Sequence, residues 1–350
     1  MMKTVKRSIS RFFILLVAGI LTYGCAAPPL PDLIWPIPPD EPRIKYVKQL
    51  TDTESLKEKS AATELLIGSE SAEPLKKPNG VFVDSTGKVY VTDTARSEIM
   101  KLDTVSKQGA IIGSRLLSKP IGVVADDKGR VFVADSDNKK VWIFTAEGNI
   151  SDEFLKPDTP FKRPSGIAID SILKLLYVTD TYDHHIRVFD LETLKQKSII
   201  GWRGREDGLF NYPSFLTVAP NGNIVVSDTQ NGRIQIFDSE GRFLRRFGEF
   251  GDAPGMFARP KGVAVDSEGH IYVVDAAFNN VQIFDDEGRI LMAFSGYGVG
   301  RGEMILPAGI AIDKDDYIYV VDSWGRRVEV FEFLGDKHKA REAAKAAKKK

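Results

Sequence analysis

Six aspartates hold one position in a recurring pattern: Asp93, Asp135, Asp180, Asp228, Asp275 and Asp322, each after an aromatic or Val, a Val and one variable residue. A carboxylate can act as general acid or base or ligate a cation. Catalysis needs a group once, however, and these recur every 42 to 48 residues. A residue repeated in every unit serves the geometry common to every unit, here by accepting backbone N–H bonds from the loop that follows. The same structural reading covers Asp84, Asp126, Asp170, Asp266 and Asp313, which sit at turns upstream. The chain has four histidines. His184 and His185 fall in one loop, His270 at the far end of another unit and His338 in the tail, so a three-histidine zinc site is not expected. The single cysteine, Cys25, excludes an internal disulfide and a cysteine-based zinc site. No Ser/His/Asp constellation, GxxxxGK loop or CxxCH motif is present. No catalytic residue, metal or cofactor is assigned.

The elements that position these residues follow from the repeat. Pro-x-Gly precedes the aspartate at Pro78/Gly80, Pro120/Gly122, Pro164/Gly166, Pro260/Gly262 and Pro307/Gly309, and the fourth copy has Pro213 with Phe215 in place of Gly. In the fifth copy, residues 262–266, 271–275, 281–284 and 289–294 are short β-branched runs separated by Gly/Asp turns, an antiparallel meander. Strands apolar on both faces must be covered on both faces, and four-stranded units achieve this by stacking radially. The prediction is an all-β, six-bladed β-propeller. The last copy ends after three strands, so residues 43–50 are predicted to supply its fourth and close the ring. Ser55 with Glu58 fits a capping box for a short helix at about 55–68, with Leu65 and Leu66 packing on the body.

The first 24 residues carry Lys3, Lys6, Arg7 and Arg11, then a ten-residue apolar run too short to span a bilayer as a helix. With Cys25 next, this resembles a bacterial lipoprotein signal, which implies lipid attachment at Cys25. Ala26, not Asp, follows, and in that class this implies an outer-membrane address. Seven prolines between residues 26 and 42 make residues 25–42 a semi-rigid tether. Lys+Arg and Asp+Glu are both 48, but residues 336–350 are basic and the body before them is acidic. That is a poor footprint for nucleic acid, and none is expected as partner. The membrane is expected to be engaged through the lipid alone. The tail reads as a frayed helix. The composition, 43% hydrophobic and 27% charged, excludes a disordered chain.

Asp228-Thr-Gln-Asn-Gly-Arg-Ile-Gln-Ile-Phe-Asp238 resembles the NHL repeat, and the glycine-rich linkers 248–257 and 296–304 resemble those between NHL repeats. The likeness covers residues 75–334, and the whole chain resembles exported bacterial six-bladed NHL-type lipoproteins. The resemblance implies a monomeric propeller with no agreed activity. Its lyase branch uses histidine-held zinc and lactonase-like propellers a channel cation. Here the residues entering the first strands, Asn79, Ile121, Ser165, Ser214, Lys261 and Ala308, make a poor oxygen cage. Propellers bind partners through the loops after the second strands and the linkers. On that face the candidates are Arg96, Lys139, Lys140, Tyr182, His184, His185, Trp202, Arg203, Arg233, Phe278, Trp324, Arg326 and Arg327. Arg, Tyr, Trp and Phe are the types enriched at protein-binding hot spots. The leading expectation is a non-enzymatic envelope binding or scaffold module with a protein partner. The alternative is a metal-dependent lyase or lactonase-like enzyme using the central channel.

Overall fold

A computed structural model describes residues 31–57 and 73–348. The leader, Cys25, the start of the tether and residues 58–68 of the expected helix lie outside them. Residues 55–57 lie in a turn where Asp52 accepts the Glu54 N–H at 2.9 Å and the Ser55 hydroxyl at 3.0 Å; Glu58 of the expected capping box lies outside the described residues.

Each Pro-x-Gly run opens an innermost strand. Blade one holds Pro78–Val83, Lys88–Asp93, Glu98–Asp103 and Gln108–Ile112. Blade three holds Pro164–Asp170, Leu175–Asp180, His185–Asp190 and Gln196–Ile200. Blade four holds Pro213–Val218, Ile224–Asp228, Arg233–Phe237 and Phe243–Phe247. Blade five holds Pro260–Val265, Ile271–Asp275, Asn280–Phe284 and Ile290–Phe294. All are antiparallel and consecutive, so each is a meander. Blade two departs from the expected four strands. It has Pro120–Ala125, Val131–Asp135 and Lys140–Phe144, and only an isolated Phe144–Ile150 bridge where a fourth would run. Ser151, Asp152 and Glu153 follow that bridge and offer no apolar face to hold a strand down.

Blade six closes the ring. Pro307–Ile312, Tyr317–Asp322 and Arg327–Phe333 come from the last repeat, and Ile44–Leu50 adds on, with Ile44 opposite Phe333 and Leu50 opposite Val328. The tether contributes a fifth strand that the proline count did not suggest: Ile34–Trp35 pairs with Lys45 and Ile44. Trp35 lies edge-on to Phe331, with ring centroids 5.8 Å apart. The basic tail is a helix, Asp336–Lys348, docked on blade six by Arg341 and His338, which reach Glu332 at 2.6 and 2.8 Å.

Two observations show why these strands form a circle. Second strands such as Ile271–Asp275 are buried along their whole length, while outer strands such as Phe243–Phe247 alternate exposed and covered. Each apolar cluster of the core spans two neighbouring blades; one joins Tyr272 and Val274 of blade five to Ile318 and Val320 of blade six, another Val321 of blade six to Val89 and Val91 of blade one. The Pro-x-Gly glycine explains the close approach. A Cβ on Gly80 would meet the Ile121 carbonyl oxygen at 2.2 Å, on Gly122 that of Ser165 at 2.4 Å, and on Gly309 that of Asn79 at 2.6 Å. Inner strands thus touch backbone to backbone, and the last returns to the first.

Candidate binding end of the ring

Chain direction gives the ring two unlike ends. Inner strands start, and second strands finish, at what we term the loop end. The hairpin turns after inner and third strands lie at the turn end. The repeat aspartates sit at the loop end. Asp93 accepts N–H bonds from Lys76 (2.6 Å) and Lys77 of the incoming linker and from Ala95 and Arg96 (both 3.0 Å) of the outgoing loop. Asp275 does the same for Ala258, Arg259, Ala277 and Phe278. Asp135, Asp180, Asp228 and Asp322 repeat the incoming half, at Ser118, Lys162, Asn211 and Ile305 respectively. All six are buried and stitch linker to loop.

The thirteen residues assigned to the binding face divide in two. Trp202 and Trp324 are 61% and 68% exposed and Tyr182 is half exposed; Arg203, Arg326, Lys139 and Lys140 are exposed beside them. Phe278 is partly covered, and Arg96 is held by Glu73 and Glu98. Four are corrections: His184, His185, Arg233 and Arg327 are buried and present no contact surface. The linkers fold over them. Arg233 binds Asp228 at 2.8 Å and the carbonyls of Glu206 and Leu209; Arg327 binds Asp322 at 3.1 Å and the carbonyls of Val299, Gly300 and Glu303. Both are staples between a third strand and the linker above it. Each Arg follows its repeat Asp by five residues, a spacing readable in the sequence, while its burial arises only once the linker is folded. His184 Nδ1 accepts the Tyr212 N–H at 3.1 Å, and burial, then Arg203, hold its pKa below the usual histidine value. His185 lies edge-on beneath Trp202 at 5.6 Å, its pKa lowered by burial and then by Arg187.

Sequence reading missed one constellation. Ligand atoms of Asp180, Asp183 and His185 lie within 4.8 Å of one another. Two cations already hold the carboxylates: the buried Arg187 guanidinium is 2.9 Å from Asp180 and 3.2 Å from Asp183, and the Lys162 ammonium also contacts Asp183. A divalent ion would have to displace both, so the residues do not fit one. The central channel, about 300 Å³, is walled largely by apolar residues such as Phe82, Val124, Ile169, Val265 and Ile312. The two hydroxyls at its entry are engaged, Ser165 with Thr179 at 2.9 Å and Ser214 with Thr229 at 2.6 Å.

Closed sheets, Pro-x-Gly contacts and buried aspartates together define the class: an all-β, six-bladed propeller built from NHL repeats. Comparison with known proteins agrees. The NHL repeat model matches residues 117–144, 161–189 and 210–237, and a model described as "6-bladed beta-propeller" matches residues 266–342. "Protein brain tumor" of Drosophila melanogaster is 35% identical over 98 residues, 27% of this chain and 9% of that protein. The chain thus spans a small fraction of the curated relatives it matches. Among solved structures, an auxiliary nutrient binding protein from Bacteroides thetaiotaomicron superposes with TM-score 0.61 at 15% identity, covering 75% of this chain and 70% of that one. Virginiamycin B lyase from Staphylococcus aureus gives 0.53 at 16%, covering 83% and 99%. At such identities the likeness is one of fold. No helix among the described residues is long and apolar enough to cross a membrane.

Proposed function

We propose that this propeller is a non-enzymatic binding or scaffold module, exported, lipid-anchored at Cys25 to the bacterial outer membrane, that engages a protein partner through its loop end. The observation that carries the reading is the display of Trp202, Tyr182 and Trp324 in the open, among Arg203, Arg326 and Lys139, on a frame locked by buried Asp–linker bonds. Exposed aromatic and Arg side chains on a rigid base lose little entropy when covered. The basic leader and the cysteine that follows it support the address.

The test is crosslinking and capture from intact cells. The wild-type chain is expected to retain a defined envelope protein, and Trp202→Ala with Trp324→Ala to lose it while melting at nearly the wild-type temperature. Capture undiminished in the double variant would remove the loop end from the reading. The competing reading, a metal-dependent lyase or lactonase-like enzyme using the central channel, would need a cation site other than the Asp180–Asp183–His185 cluster, whose carboxylates Arg187 and Lys162 already hold. Metal analysis of the purified protein separates the two, since one stoichiometric divalent ion per chain would favour the enzyme.

A further inference from the structure

The residue just before the inner-strand proline is basic in four of the six repeats: Lys77, Lys119, Arg163 and Arg259. Because every inner strand starts at the loop end and borders the channel, these four stand around its mouth. Lys261, one residue inside the blade-five strand, adds a half-buried fifth cation. The repeat carboxylates beside them are consumed by backbone N–H groups. Arg163 stacks on Tyr182, its guanidinium 4.7 Å from the ring centre. Among the described residues, no acid pairs with Lys77, Lys119, Arg259 or Lys261. Burial first, and then Arg259 and Lys77, hold the Lys261 ammonium below the ordinary lysine range. Its charge is thus opposed both by its site and by its neighbours. Asn79, on the blade-one inner strand two residues after Lys77, has a buried Oδ1 with no hydrogen-bond partner. Turned end for end, that amide offers two N–H donors instead.

A group of cations to which the described residues supply no counter-charge, mounted on inner strands that touch backbone to backbone, is complementary to concentrated negative charge. We propose that the loop-end mouth of the channel is a binding site for a compact, multiply charged anion of phosphate or carboxylate chemistry, held by Lys261, Lys77 and Arg259 with Lys119, Arg163 and Asn79 around them. This rests on reading the loop end as the binding end and adds the chemistry of what it takes. The apolar channel wall beneath stops the charged group at the mouth and leaves room for an attached apolar portion.

The experiment is calorimetric titration of the purified protein with inorganic pyrophosphate and, separately, citrate, at about 50 mM and about 150 mM salt. Saturable binding of either, weaker at the higher salt, is expected. Pyrophosphate alone would assign a phosphate source and citrate alone a carboxylate source. Lys261→Ala is expected to weaken binding at least tenfold, and Lys261→Arg to recover most of it. Arg242→Ala, exposed at the turn end, is expected to leave it unchanged. Lys261→Ala relieves an unfavourable burial, so it should fold and melt no lower than wild type, and the anion should raise the melting temperature of the wild type only. Failure of both anions to bind, or an isotherm unchanged in Lys261→Ala, overturns the site. That failure, alongside partner capture that still depends on Trp202 and Trp324, would leave the proposed binding function standing.

Discussion

At the loop end, Asp180 and Asp228 lie fully buried, each against a buried guanidinium, Arg187 and Arg233. At the turn end, Asp103 and Asp190 are partly open and cap short turns, Asp190 taking N–H bonds from Glu192 and Thr193 at 3.1 and 2.8 Å. The same side chain is therefore tuned in opposite directions. Burial drives the Asp228 and Asp322 carboxyls upward despite their hydrogen bonds. The Thr193 and Ser106 N–H groups hold Asp190 and Asp103 downward, against slight desolvation. A raised carboxyl contributes stability that is present below its unfolded pKa and lost as pH rises through the folded one. A lowered carboxyl contributes stability present above its unfolded pKa and lost as pH falls. Asp228 and Asp322 thus respond to pH with the opposite sign to Asp103 and Asp190, because burial sets the first pair and partly open capping the second.

The largest test of this contrast is a pair of truncations. Asp180→Ala strands the buried Arg187 and is expected to cost about 3–5 kcal/mol. Asp190→Ala removes turn caps at a partly open site and is expected to cost about 1 kcal/mol. Equal losses in denaturant melts would break the contrast. A smaller and sharper test lies at Glu329. Blades four and five carry Gln235 and Gln282 at this position, each accepting from a linker N–H (Gly208, Gly255) and donating to a linker carbonyl (Leu209, Met256). Blade six has a buried glutamate, and burial, opposed by Arg327 at 2.8 Å, pushes its pKa up to about 7. Its stabilising share is complete below about pH 4.5, the unfolded value, and is lost as pH rises through about 7. Glu329→Gln is therefore expected to stabilise the ring by about 1–3 kcal/mol at pH 8–9 and to change little at pH 4. Melts across that range read it, and a pH-independent effect would contradict the assignment. The smallest effect is expected at Arg242, exposed at the turn end beside Asp238 (2.6 Å) and Glu240 (2.8 Å). Arg242→Ala should leave the melting temperature within experimental scatter, as surface pairs do; a clear loss would mean the turn end is less solvent-like than its exposure indicates.

The ring was legible because its physics repeats: period, Pro-x-Gly and strands apolar on both faces each recur, and one consistent geometry satisfies them all. The closing strand was legible from the strand that the last repeat lacks. Blade two was not, because a strand's absence there depends on what Ser151 to Glu153 fail to cover. Nor was the burial of His184, His185, Arg233 and Arg327. The position shared by His185, Arg233 and Arg327 holds the exposed Lys140 in blade two, and what hides these four is the fold of a linker many residues away. The Asp180–Asp183–His185 cluster was equally hidden, since only the folded loop and the pairing of Asp180 with His185 bring the three side chains together.

Arg43 accepts the Leu334 N–H at 2.8 Å, so the start of the closing strand and the finish of the last repeat meet at one seam. The order in which the blades are written along the polypeptide is then a convention of where the chain was opened, not a requirement of the circle. A circular permutant joined from Leu334 to Arg43 and reopened in the linker between blades four and five would bury the same blade-to-blade interfaces, losing only the Ile34–Trp35 strand and the tail helix. Within the described residues, the Ile34–Trp35 strand and the Asp336–Lys348 helix both attach to this same outer edge of blade six.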